Sequence, residues 1–188
     1  MSLILDGTNG LTFNNATTQA SAALVVGTAS AITAGTSVAS TSGTSIDFTS
    51  IPNWVKRITI MLNGVSLNGT ANLLVQIGTG GTPTTTGYVS QTCYGIIASS
   101  QTGGATSTTG YVAFFGAASY AVSGSMVLTN ISGNTWISSS VVGNTVTTGY
   151  VAMGTGTGSL ASVLNLVRIT TTTGTDTFDA GSINILYE

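Results

Sequence analysis

The chain has no histidine, one cysteine, two prolines and eight charged side chains in 188 residues. Charged residues make up 4% of it, against roughly 25% in an ordinary soluble domain. They are Lys56, Arg57 and Arg168 against Asp6, Asp47, Asp176, Asp179 and Glu188, and residues 58–167 carry none of them. Each shortage closes off a chemistry. Without histidine no Ser-His-Asp or Cys-His relay can be built, and the commonest ligand of zinc, copper and non-haem iron is missing. With Cys93 alone there is no intrachain disulfide. Three basic residues cannot neutralise a run of phosphates, which excludes nucleic acid as a partner. No GxxxxGK[ST] loop is present. The GTGTG stretch at 154–158 lacks the lysine and the strand-to-helix setting of a phosphate loop, and reads as an ordinary loop.

Scarce charge does not mean disorder here. Disordered chains are poor in apolar residues, whereas this one is 42% hydrophobic, enough for one main domain with a core. The most apolar window, residues 111–128, is interrupted by Gly116, Ser119, Ser123, Gly124 and Ser125 and has no flanking Lys or Arg, so membrane insertion is not expected. Residues 1–10 have no basic segment and only a three-residue apolar run, which does not fit a secretory signal.

What the chain does have is threonine and serine, together roughly 30% of it, and 25 glycines. Thr is β-branched and covers a strand face without adding charge, while Gly and Ser mark turns. No apolar stripe of helical period is present, which leaves an all-β fold. Residues 1–42 are poor in large side chains and cannot form their own core, so they read as an attachment and connector segment, with a β-sandwich domain over 43–188. The strongest strand covers residues 54–62, with Trp54, Ile58, Ile60 and Leu62 on one face. Asn63-Gly64 and Asn68-Gly69 read as turns after it. Further strands are expected at 71–77, 88–97, 111–115, 125–131, 136–142, 150–153, 160–169 and 182–187. Eight to ten short strands at such spacing predict an antiparallel, jelly-roll-like β-sandwich.

Thr-Thr-Gly-Tyr-Val occurs three times, beginning at Thr85, Thr108 and Thr147. One reading is a turn-to-strand device in which Gly frees the backbone and Tyr-Val starts a strand. The other is a contact surface for glycan or receptor made by Tyr88, Tyr111 and Tyr150 together with Trp136. Trp54 and Trp136 read first as core or interface aromatics, and Cys93 as a small buried hydrophobe with no neighbour to activate it. Asp176 and Asp179 are the close acidic pair; their setting in a Thr-Gly turn favours backbone capping over acid-base or calcium chemistry. Asp6 reads likewise as a turn residue. Lys56 and Arg57 point to opposite faces of a strand, and one of them is expected to pair with Asp47 or Glu188. No side chain is assigned a catalytic, metal-binding or cofactor-binding role.

A surface of Thr, Ser, Gly and aliphatics offers little resistance to association, so a symmetric homo-oligomer is expected. The stretch LILDGTNGLTF at 3–13, followed by ATTQAS at 16–21, resembles the N-terminal segment of bacteriophage tail-fibre and related virion appendage proteins. The stretch IDFTSIPNWVKRITI at 46–60 with NGV at 63–65, and the ending FDAGSINILYE at 178–188, are similar to a small β-sandwich module of such proteins. The resemblance covers both ends and the strongest strand and leaves the middle unmatched. It implies a homotrimeric, non-enzymatic virion protein: a short tail fibre assembled in the host cytoplasm and involved in host-surface adhesion. Its N-terminal segment, through Leu3, Leu5, Leu11 and Phe13, would hold other virion structural proteins. A capsid-decorating or head-fibre protein is the alternative within that class. A free carbohydrate-binding module and a bacterial surface or outer-membrane β protein are the alternatives outside it.

Overall fold

The computed structural model describes residues 4–6, 10–12, 18–19, 32–96, 99–113, 115–144 and 149–188. Two compact units divide the chain, Met1–Ile32 and Thr33–Glu188. The first holds a three-stranded antiparallel sheet of β1 (Ile4–Asp6), β2 (Gly10–Thr12) and β3 (Thr18–Gln19), in which Leu5 pairs with Leu11. Leu3 and Phe13 lie outside the described residues.

Fourteen strands make up the second unit, and no helix occurs among the described residues. The strands are β4 (Thr33–Ala34), β5 (Val38–Ala39), β6 (Ile46–Thr49), β7 (Arg57–Leu67), β8 (Leu73–Thr79), β9 (Thr82–Pro83) and β10 (Val89–Ile96). They continue with β11 (Thr102–Ser107), β12 (Tyr111–Ala113), β13 (Val122–Ser132), β14 (Thr135–Asn144), β15 (Tyr150–Ser159), β16 (Leu166–Thr171) and β17 (Phe178–Tyr187). A nine-stranded sheet runs β11-β10-β15-β14-β13-β7-β17-β4, with β5 also on β17. A five-stranded sheet runs β12-β8-β16-β6, with β9 on β8. Every pairing is antiparallel, and the two sheets share one hydrophobic core, as in a β-sandwich.

This unit begins earlier than the 42/43 boundary that composition suggests. β4 and β5 add to the free side of β17, pairing Ala34 with Leu186 and Val38 with Ile183. The amide of Ser40 donates to Gly181 O at 3.0 Å, and its hydroxyl donates to Ala180 O at 2.8 Å. Small residues can join a sheet edge through backbone bonds alone, a contribution that a count of large side chains overlooks.

Alternation fixes which faces meet. In β7 the buried residues are Ile58, Ile60 and Leu62, as the sequence pattern predicts, and then Val65 and Leu67. The phase therefore slips by one residue at Asn63-Gly64, which is a β-bulge inside a long strand rather than a turn. β17 slips at the same level: Ile185 and Ile183 face the core, then Phe178. Matched slips keep both halves of each strand apolar-side in. Trp54 stands outside the strand, in a turn at 48% exposure, with its ring 5.9 Å from that of Tyr187.

The GTGTG stretch is also not a loop. Residues 154–158 form the middle of β15, paired on one side with β14 and on the other with β10. Its glycines face inward and its threonines outward. A Cβ on Gly156 would lie 2.9 Å from the Tyr111 ring, and one on Gly158 would lie 2.8 Å from the Tyr88 ring. The strand is a flat floor on which two tyrosines lie, so the absence of side chains there is a packing requirement.

Candidate functional site

The four aromatics with the strongest claim to a surface role are inside the sandwich. Tyr88, Tyr111, Trp136 and Tyr150 are all buried, the most exposed of them at 3%. They form no contact platform on a single chain, which corrects that reading. The other reading of the repeat describes the structure: Tyr111 and Tyr150 open β12 and β15, and Tyr88 immediately precedes β10. Each phenol is a large apolar body with one polar atom to satisfy, and each finds a backbone carbonyl. Tyr111 donates to Trp136 O at 3.0 Å and Tyr150 to Phe115 O at 2.8 Å. The Tyr88 hydroxyl donates to Ile77 O at 3.2 Å and accepts from Ile77 N at 2.9 Å. The Tyr88 and Tyr111 rings meet edge to face, 5.0 Å apart.

Burial disfavours the phenolate at all three positions. It pushes Tyr88 up to about 12, opposed by its backbone bond to Ile77, and raises Tyr111 and Tyr150 further, with added repulsion from Tyr88 and Tyr120 respectively. Because the native values lie above the unfolded one of about 10, the neutral phenols support the fold fully below pH ~10. Above it the unfolded chain ionises first, and stability falls toward pH 12 and beyond. The expected result is that the absorbance change of these phenolates appears together with loss of the near-ultraviolet dichroism. Ionisation of all six tyrosines near pH 10 with the dichroism intact would contradict it.

The remaining candidates separate into capping, pairing and exposure. Asp176 Oδ2 accepts from the amide of Ala71 at 2.9 Å, and its carboxylate occupies the space a side chain at Gly69 would need. It caps the bend after β7 rather than its own turn. Asp179 points outward from β17. Among the described residues no three of the Cys, Asp and Glu side chains gather as a metal site would require. Asp47 pairs with Arg168, its cross-strand partner, through two bonds of 2.7 and 2.6 Å, and this contact holds the guanidinium pKa up. Arg57 reaches Glu188 at 3.1 Å, as the expected pairing of one basic residue with Asp47 or Glu188 allows.

Cys93 is exposed, contrary to the expectation that it is buried. It sits on the outward face of the large sheet, between β11 and β15. Register carries one row across that face: Gly104, Cys93, Met153, Val141, Ser125 and Met61. The next row runs Thr106, Gln91, Thr155, Ser139, Val127 and Thr59, and the one beyond it includes Val89, Thr157 and Ile137. A shallow groove of about 670 Å³ lies along β11, β10 and β15, lined by Gln91, Cys93, Thr106, Met153 and Thr155.

The chain matches no family model, no curated protein and no solved structure. Its own surface is therefore the argument. These rows carry no Asp, Glu, Lys, Arg or His side chain. They can hold a partner by area, shape and neutral hydrogen bonds. The face escaped sequence reasoning because both sides of β14 look alike in composition. Trp136, Ser138, Ser140 and Val142 point inward, while Ile137, Ser139 and Val141 point outward.

Proposed function

We propose that this chain is a non-enzymatic bacteriophage virion structural protein, a short tail fibre that assembles as a homotrimer. Its N-terminal unit attaches to other virion proteins, and its sandwich contacts the host surface. The observation that carries this reading is the division into a small N-terminal β unit and a larger β-sandwich whose outward face on β10, β15 and β14 carries no charged side chain. A displayed module of this kind needs an anchor, a rigid body and self-association, and no reactive group. The phage resemblance of residues 3–21, 46–65 and 178–188 supplies the biological setting. The buried Tyr88, Tyr111, Trp136 and Tyr150 are not the host contact on this reading.

Deletion of residues 1–32 tests it. The sandwich retains its strands at 33–39 in this variant and should give the dichroism of a folded β protein. Particles made with it should lack the protein, while the free variant still competes with phage for host cells. Normal incorporation would refute attachment through the N-terminal unit. Labelling that places the full-length protein on the capsid would replace the tail fibre with a decorating or head-fibre protein.

A further inference from the structure

We propose that the outward face of β10, β15 and β14 is the surface through which copies of this chain associate. The inference deepens the homotrimer reading above and rests on it. Nine large hydrophobic side chains are exposed among the described residues, and five of them, Val89, Ile137, Val141, Val151 and Met153, share this face on three adjacent strands. Val89 is 71% exposed and Met153 60%. Val151, Met153 and Val141 adjoin one another, with Met153 directly between Cys93 and Val141 in register, and Val89 and Ile137 lie farther along the same face, beyond Gln91, Thr155 and Ser139.

Area and charge identify the occupant. At ~4.8 Å spacing and ~3.3 Å per residue, β10, β15 and β14 present about 400 Å², and together with the outward faces of β11, β13 and β7 beside them about 800 Å². That is close to the ~800 Å² each partner contributes to a standard stable interface. No Asp, Glu, Lys or Arg lies on β10, β15 or β14, so a charged partner would bury its charges without counter-charges. No aromatic side chain points outward from these three strands, which removes the usual platform for a sugar ring. A second copy presents the same neutral surface, with Val141 beside the groove that Cys93 and Met153 line. Three copies turning these faces to one axis would cover them together.

The experiment is mass measurement by light scattering on the full chain, with Cys93 as a built-in reporter. Wild type and the control V163K, altered in the loop between β15 and β16, should be oligomeric, with slow maleimide labelling of Cys93. V141K/M153K should be monomeric, with unchanged dichroism and labelling at least tenfold faster. If the lysine variant fails to fold, V141S/M153T should shift the dissociation midpoint at least tenfold to higher concentration. A folded V141K/M153K or V141S/M153T that keeps wild-type mass and slow labelling overturns the face and leaves the oligomer reading intact. A wild type that is monomeric at tens of micromolar overturns both. Sedimentation of that monomer with neutral lipid vesicles would assign the face to lipid instead.

Discussion

Replacing Gly158 with valine should lower the melting temperature by roughly 10 °C, an effect of about 3 kcal/mol for a chain of this size. The position is a strand interior where valine is ordinarily favoured, so propensity alone predicts a gain. Packing predicts the reverse. The first carbon of any side chain would lie 2.8 Å from Tyr88 Cδ1 and 3.0 Å from the Tyr111 hydroxyl. Neither ring has room to retreat, because Tyr88 is bonded to both backbone groups of Ile77 and Tyr111 to Trp136 O. Displacing either ring breaks a buried hydrogen bond and leaves its partner unsatisfied, at ~1–3 kcal/mol each. Thr49→Val is the control: Thr49 faces outward from β6 in the other sheet, and the change should be within ~0.5 kcal/mol of neutral. Equal melting temperatures for the two variants would show that the glycines of β15 are not a floor for the tyrosines.

That contrast also explains which parts of the fold were legible in the sequence. β7 was, up to Leu62, because Ile58, Ile60 and Leu62 alternate with polar or half-buried positions over a long run. Its second half was not, because Asn63-Gly64 is the dipeptide of a hairpin turn and here serves a bulge. β15 and β11 were missed in whole or in part for a different reason. TGGATS and the GTGTG stretch have little β propensity and almost no apolar alternation, and they become strands because register is imposed from neighbouring strands. Tertiary context decides such segments. The candidate surface was hidden for a related reason. With Ser138 and Ser140 buried inside and Val141 and Ile137 exposed outside, hydropathy does not report which side faces the core. The absence of charge over residues 58–167 is legible in the sequence, but which of its residues share the outward face of β10, β15 and β14 requires the register.

Gly181→Ala should be more damaging than any other single methyl addition at the bulge, costing about 3–5 kcal/mol and lowering the melting temperature by 10 °C or more. Two independent penalties meet there. Gly181 has φ of +93°, a backbone conformation that an L side chain adopts only under strain. Its new Cβ would also fall on the backbone carbonyl of Gly64 in the neighbouring strand. Gly64→Ala separates the two terms. Gly64 has φ of +61°, but no atom lies within 4 Å of where its Cβ would stand, so only the conformational cost of ~1–2 kcal/mol applies. Thermal melts of the two variants should therefore differ by several degrees, with Gly181→Ala the lower. The order matters beyond stability. The bulges in β7 and β17 put both Ile183 and Phe178 into the core, and losing the β17 slip would turn one end of that strand inside out. Identical melts for the two variants would mean that the strands slide freely at this level and that the paired bulges do not set the register.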